Sequence, residues 1–136
     1  MNDGFRLAHI RIAVADMEKA IDVFTRLLGL KPSQISELAA QKVKIAFFPG
    51  KGGSGEIELV APLGEGSTVE RFIQKNGEGL HHLCIKVPNI DAKLKELAEQ
   101  GYQLIDDNPR IGAGGHKIAF VHPSSLSRVL VELEEE

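Results

Sequence analysis

Two segments of this chain alternate hydrophobic and polar residues with the period of a β-strand, and a helical period follows each of them. Residues 9–14 and 82–87 alternate with period two and are rich in Ile and Val, which predicts two strands. Apolar residues then recur three and four positions apart, which predicts a helix after each strand. Asp16 and Asn89 stand at the expected N-caps, and Gly29 stands at the expected left-handed C-cap of the first helix.

The two strand–helix units are copies of one pattern. The tetrapeptide Lys-Ile-Ala-Phe at 44–47 recurs at 117–120, an offset of 73. The same offset carries His9 onto His82, each at the start of its alternating strand. A repeat of this kind predicts two modules of similar structure.

A third match, at an offset of 74, relates residues 57–60 to residues 131–134 and completes the repeat. The three matches occur in the same order, which predicts modules at about 7–61 and 80–134. Three further strands are predicted in each module, at about 30–38, 43–48 and 56–61 in the first and at 102–106, 117–121 and 129–134 in the second. We therefore expect a single α+β domain, 1–136, of two tandem βαβββ modules joined by a linker helix at about 67–76, where a Ser/Thr-x-x-Glu capping box begins.

Composition narrows the possible partners. The 136 residues are 43% hydrophobic, enough for one core, and 16 basic against 19 acidic residues give a net charge of −3. Without a basic block or an apolar run of about 18 residues, we expect no nucleic-acid partner and no membrane partner. Cys84 is the single cysteine, and the N-terminus lacks a leader pattern, so we expect a cytoplasmic protein without disulfides.

Ionisable residues occupy matched positions in both modules. His9 and His82 open the first strands, while Glu58 and Glu132 lie inside the last strands between apolar neighbours. A single such Glu usually faces water on a half-exposed sheet. Here, however, each module supplies one His and one Glu at almost the same separation, 49 and 50 residues. Two imidazoles and two carboxylates from related halves form a plausible ligand set for a divalent metal ion.

The chemistry of these ligands limits the choice of ion. Imidazole and carboxylate suit borderline-to-hard divalent ions, and the chain has no Cys/His cluster that would demand a closed zinc site. Cobalt, manganese, nickel and zinc are all compatible. An ion that prefers six ligands would keep two positions at which a substrate chelates through two oxygens.

The segments around these residues form a wider pattern. They are His9 to Glu18, Ile57 to Leu63, Gly79 to His82, Pro109 to Gly115, Phe120 to Pro123 and Val129 to Leu133. Together they resemble the methylmalonyl-CoA epimerase family of the vicinal oxygen chelate (glyoxalase) superfamily. The resemblance covers about residues 7–134 and implies a mixed, curled sheet around a metal-binding cleft.

The resemblance also implies site residues. The family's metal ligands fall on His9, Glu58, His82 and Glu132, whereas His81 is out of phase and is expected on the other face of its strand. The implied reaction is the interconversion of (R)- and (S)-methylmalonyl-CoA through an enolate chelated by the metal, with Glu132 as one acid/base group. The second group stays open between Lys44, Glu58 and a water. An acyl-CoA thioester is the expected substrate and a homodimer the expected assembly.

A glycine-rich run is the candidate substrate-binding segment. Arg110, Gly114, Gly115, His116 and Lys117 combine backbone amides with flanking cations, which suits a substrate carboxylate or phosphate. The same composition is also typical of a flexible hairpin connection.

Two other functions of the same fold remain as alternatives. One is glyoxalase I, the lactoylglutathione lyase that acts on a glutathione hemithioacetal. The other is a metal-free ligand-binding protein. Bacterial glyoxalases tend to have Asp-Pro-Asp-Gly before the last Glu strand, where this chain has His-Pro-Ser-Ser at 122–125, and this difference favours the epimerase. Both His and both Glu positions are filled, which disfavours the metal-free protein.

Overall fold

The computed structural model describes residues 3–136, which form two compact units. The C-terminal unit contains residues up to 9 together with 82–136, and the N-terminal unit contains residues 10–81. The division falls inside two strands, β1 and β5. Within the described residues, no helix has the length and apolarity required to cross a membrane.

The order of elements is strand, helix and three strands, twice, with one helix in between. In chain order they are β1 (Arg6–Ala13), α1 (Met17–Leu28), β2 (Gln34–Leu38), β3 (Val43–Pro49), β4 (Glu56–Pro62), α2 (Thr68–Asn76), β5 (Gly79–Val87), α3 (Ile90–Glu99), β6 (Arg110–Ile111), β7 (Lys117–Val121) and β8 (Val131–Glu135). The predicted βαβββ order is confirmed. Strand pairing is mixed, since β5 and β8 are parallel while β2–β3, β3–β4, β6–β7 and β7–β8 are antiparallel.

Both helices that follow a first strand are capped as the sequence predicts. The Asp16 side chain accepts a hydrogen bond from the Lys19 backbone N–H, and Asn89 does the same for Ala92. Gly29 adopts the left-handed conformation, with φ 74°, at the end of α1. These caps fix where each helix begins after its strand.

The N-terminal unit has strand order β2–β3–β4–β1 and a helix on each face. Directly opposed residues of antiparallel strands share a face, so the β3–β4 register assigns the faces. Ala46 pairs with Leu59 on the face covered by α1, while Ile45 pairs with Val60 on the face where Val69 of α2 packs.

The C-terminal unit has strand order β5–β8–β7–β6 and one helix. The helix α3 covers one face with Ile90, Leu94 and Leu97, which pack against apolar residues of β7 and β8. On the other face, Cys84 and Phe120 lie beside Glu132 in the registers of β5–β8 and β7–β8. The charged residue therefore lies on the face opposite α3.

Two strand predictions are wrong in their bounds, and a third predicted strand, at 102–106, is not formed; β6 (Arg110–Ile111), which was not predicted, takes its place in the order. The predicted strand at 102–106 is only a single bridge, between Leu104 and Val121, because the backbone N–H groups of Ile105 and Asp106 both point to one carbonyl of Phe120. β2 begins at Gln34 rather than at residue 30, after Pro32, which has no N–H to donate. β8 begins at Val131 rather than at 129, since Ser127 and Arg128 form a turn with positive φ.

Candidate active site

Three of the four predicted metal ligands meet in the C-terminal unit. The Nε2 atoms of His9 and His82 are 3.1 Å apart. The Oε1 atom of Glu132 lies 3.3 Å from the His9 nitrogen and 3.0 Å from the His82 nitrogen. The side chain of His82 is 1% exposed, that of Glu132 is 10% exposed and that of His9 is 12% exposed. The sheet thus brings three donor atoms together at a position with little exposure to solvent.

Strand register explains why these side chains converge. Cys84 of β5 pairs with Glu132 of β8, and His82 lies two residues earlier on the same face of β5. The ring of Phe120 contacts the His82 imidazole edge-on, with centroids 5.4 Å apart, and so limits how this ring can turn. His82 and Glu132 are consequently held before any ligand binds.

The donor set fits a divalent metal ion. An ion about 2.1 Å from each donor, with neighbouring donors at right angles, brings those donors roughly 3.0 Å apart. The observed separations of 3.0 to 3.3 Å match this value. Two imidazole nitrogens and one carboxylate oxygen also suit borderline divalent ions.

The charge state of Glu132 follows from its two imidazole neighbours. Burial by itself would raise the pKa of this carboxyl, but the hydrogen bonds to His82 and His9 and the charges of those rings outweigh burial. The pKa of Glu132 is therefore held well below its usual range. Glu132 is a carboxylate at neutral pH, which is the form that binds a metal or accepts a proton.

The fourth predicted ligand, Glu58, lies in the N-terminal unit with a partner that sequence reasoning missed. Its Oε1 atom accepts hydrogen bonds from Arg11, at 3.0 Å from Nε and 2.7 Å from Nη2. The Glu58 side chain is 6% exposed and that of Arg11 is 25% exposed. The available signal was the alternation of β1, in which Arg11 occupies a polar position between Ile10 and Ile12.

Lys44, a predicted acid/base residue, lies on the opposite face of its sheet from Glu58. It pairs with Ala61 in the β3–β4 register, whereas Glu58 pairs with Phe47. Ala46, two residues after Lys44, packs with α1. Lys44 and Glu58 therefore cannot line the same side of the sheet.

The predicted substrate-binding segment is a β-hairpin, and its two cations lie on different faces. Lys117 is 3.1 Å from Asp91 of α3, and the hydrogen bond and charge of Asp91 raise the pKa of Lys117. Arg110 pairs with Ile118, one strand position away from Lys117, and so lies on the opposite face. Gly114, Gly115 and His116 form the turn, which is closed by a hydrogen bond from Gly112 N–H to the His116 carbonyl.

Two histidines outside the cluster have structural contacts. The ring of His81 packs on Phe72 of α2, with centroids 4.8 Å apart. The Nδ1 atom of His122 accepts the backbone N–H of Ser124 and caps the short 3₁₀ turn at 123–125. Neither ring belongs to the cluster of His9, His82 and Glu132.

Comparison with known proteins assigns the family. Residues 8–120 match the Glyoxalase/Bleomycin resistance protein/Dioxygenase superfamily. The mitochondrial methylmalonyl-CoA epimerase of Mus musculus is 38% identical over 131 residues, which are 96% of this chain and 72% of that protein. The chain belongs to the methylmalonyl-CoA epimerase family of this superfamily. The family resemblance read from the sequence is confirmed.

Further similarities agree with this family. The ethylmalonyl-CoA/methylmalonyl-CoA epimerase of Cereibacter sphaeroides is 36% identical, over 96% of this chain and 97% of that protein. A Streptomyces coelicolor methylmalonyl-CoA epimerase variant in complex with 2-nitronate-propionyl-CoA superposes with a TM-score of 0.82 at 30% identity, covering 96% of this chain and 94% of that one. A lactoylglutathione lyase of Escherichia coli O157:H7 is a more distant match, 28% identical over 93% of this chain and 92% of that protein.

Proposed function

We propose that this protein is an epimerase that interconverts (R)- and (S)-methylmalonyl-CoA by moving one proton at C2. The observation that carries the proposal is the buried cluster of His9, His82 and Glu132, whose donor atoms lie within 3.3 Å of one another. Full-length similarity to methylmalonyl-CoA epimerases supports the substrate class, an acyl-CoA thioester.

A divalent cation, cobalt, manganese, nickel or zinc, is the proposed cofactor. His9, His82 and Glu132 would hold it, with Glu58 as a fourth ligand implied by family resemblance. When bound, such an ion supplies positive charge near the thioester and carboxylate oxygens of the substrate. Arg11 donates both of its hydrogen bonds to the Oε1 atom of Glu58, so the proposal requires this carboxylate either to bind the ion beside the guanidinium or to exchange the guanidinium for the ion.

Glu132 is the proposed acid/base residue on one side of C2. Both imidazole contacts are made to its Oε1 atom, which leaves Oε2 as the atom to which we assign proton transfer. The carboxylate takes the proton as the C2–H bond breaks, and the electron pair passes into the enolate. Return of a proton to the opposite face of C2 gives the epimer.

A second acid/base group must act on the opposite face of C2. The β3–β4 register argues against Lys44, because its side chain lies on the α1 side of the sheet, away from Glu58. We therefore retain Glu58 and a bound water as the two candidates for this role.

The hairpin residues have separate proposed roles. Arg110 lies on the same sheet face as Glu132, so we propose it as a substrate contact, assisted by the backbone amides of Gly114 and His116. The backbone N–H of Gly115 already donates to the Gly112 carbonyl, so the proposed role of Gly115 is to shape the turn. Lys117 lies on the α3 face with Asp91, which argues against a contact in the same site. We further propose that the enzyme acts in the cytoplasm, in keeping with a chain that has one cysteine and so forms no disulfide within itself, and that it acts as a homodimer, as the family resemblance implies.

Turnover of a single stereoisomer tests the proposal. Pure (S)-methylmalonyl-CoA incubated with the metal-loaded protein should approach an equal mixture of epimers, whereas the methylglyoxal–glutathione hemithioacetal should remain unchanged. Conversion of the hemithioacetal alone would replace the epimerase with a glyoxalase I.

A further inference from the structure

Arg110 lies at the sheet edge, on the face that carries the metal-binding cluster. It pairs with Ile118 across β6 and β7, and Phe120, two residues later on β7, pairs with Glu132 of β8. Alternate residues of a strand share a face, so Arg110, Phe120 and Glu132 lie on one side of the sheet. The Arg110 side chain is 57% exposed, as expected at the rim of a site.

The guanidinium of Arg110 is held by two neighbours. Its Nε atom is 3.3 Å from Oδ1 of Asp106, and its Cζ atom lies 5.7 Å from the centroid of the Phe120 ring. The same ring also contacts His82, at 5.4 Å between centroids. One aromatic ring therefore separates the Arg110 guanidinium from a metal-site imidazole.

Asp106 is itself fixed to β7. Its Oδ2 atom accepts the backbone N–H of Phe120 at 2.8 Å, while Oδ1 faces Arg110. The Asp106 side chain is only 19% exposed. One carboxylate thus binds the strand with one oxygen and orients the guanidinium with the other.

The remaining donors of Arg110 are available for an anion. Among residues 3–136, the terminal nitrogens of Arg110 make no hydrogen bond, and only Nε is engaged. A planar guanidinium whose terminal N–H groups are not engaged is suited to bind phosphate in a bidentate manner.

We propose that Asp106 and Phe120 are positioning residues that orient Arg110 to bind a phosphate of the CoA part of the substrate. The inference rests on the proposed acyl-CoA epimerase function. Under that function the acyl carboxylate would lie at His9, His82 and Glu132, where a bound ion would supply positive charge to it. Arg110, which is exposed and lies one ring farther out, meets the more distant part of the thioester.

Two substrates separate a phosphate contact from a carboxylate contact. Methylmalonyl-CoA carries both groups, whereas methylmalonyl-pantetheine keeps the carboxylate and lacks every phosphate. Arg110→Gln should raise KM for the CoA thioester about tenfold or more with little change in kcat, and should leave both constants for the pantetheine thioester nearly unchanged. Arg110→Lys should retain part of the affinity, since lysine keeps the positive charge but lacks the paired N–H donors of a guanidinium.

Asp106→Asn tests the positioning role. Asparagine keeps an oxygen for the Phe120 N–H but loses the charge that orients Arg110, so KM for the CoA thioester should rise by several fold and kcat should hold. Lys95→Gln, which removes one exposed positive charge from α3 in the same unit, should change neither constant. A melting temperature for each variant shows whether that variant is folded. If Asp106→Asn is not folded, the kinetics of Arg110→Gln still test the phosphate contact.

Several results would overturn the inference. An equal rise in KM for both substrates in Arg110→Gln would assign Arg110 to the carboxylate, and a fall in kcat alone would exclude a binding role. A normal KM in Asp106→Asn would refute positioning by Asp106. Binding of free CoA, measured by calorimetry for wild type and Arg110→Gln, keeps the inference testable even if the protein proves not to be an epimerase.

Discussion

The Nε2 atom of His82 lies 3.0 Å from the Oε1 atom of Glu132, across the parallel pair of β5 and β8. This contact joins the first strand of the second βαβββ repeat to its last strand. Because both residues are buried and both belong to regular strands, their separation is set by sheet geometry rather than by a loop. The sheet thus builds most of the candidate metal site in advance.

The metal content of two adjacent histidine variants tests this site. His82→Ala removes one of three converging donors and should lower the content of divalent ion from about one per chain to a small fraction. His81→Ala is the matched control, since His81 packs on Phe72 and should leave metal content unchanged. Elemental analysis after dialysis provides the measurement. Metal loss in His81→Ala with retention in His82→Ala would contradict the assignment.

The Arg11–Glu58 pair should contribute to the stability of the metal-free protein. Arg11→Met removes the guanidinium that binds the Glu58 carboxylate, which is only 6% exposed. The free energy of unfolding should fall by about 2 kcal/mol, which is less than for a fully buried pair because Arg11 is partly exposed. Arg11→Met combined with Glu58→Gln removes the buried charge and should recover much of this loss. Urea denaturation of the wild type, the single variants Arg11→Met and Glu58→Gln, and the double variant completes the cycle. Unchanged stability in Arg11→Met would show that the pair is not formed in solution.

Lys44 provides a test of the face assignment in the N-terminal unit. Lys44→Met should leave kcat for epimerisation within about twofold of the wild-type value, because the side chain lies on the α1 side of the sheet. Glu58→Gln, on the opposite face, should lower kcat or metal affinity. Steady-state kinetics with added metal distinguishes the two variants. A loss of about a hundredfold in Lys44→Met would restore Lys44 as the second acid/base residue.

Much of this organisation is encoded in local sequence patterns. The period of two in β1 and β5, the helical period after them and the caps at Asp16 and Asn89 all predicted the observed elements. The repeat offset selected His82 over His81 without knowledge of strand pairing. The repeat was informative because matched positions in two copies of one module take matched places in the fold.

Other features depend on contacts that a pattern does not contain. Arg11 reads as a polar residue of an alternating strand, and only the structure shows that it pairs with Glu58, 47 positions away. Asp106 lies in the segment that the pattern predicts as a strand. In the structure its side chain, rather than its backbone, accepts hydrogen bonds from the Phe120 N–H and the Arg110 guanidinium. The strand register determines on which face of the sheet Lys44 and Lys117 lie. A prediction made from composition alone identifies a cationic loop but not the face to which each cation belongs.

Exchange of the C2 proton with solvent is the most direct test of the central claim. In deuterium oxide, the metal-loaded wild-type protein should incorporate deuterium at C2 of methylmalonyl-CoA, because proton transfer through Glu132 is the proposed chemistry. Glu132→Gln should slow this exchange by at least about a hundredfold, and Glu134→Gln, two residues later on β8, should exchange at nearly the wild-type rate. Full exchange in Glu132→Gln, or no exchange in the wild-type protein, would contradict the account.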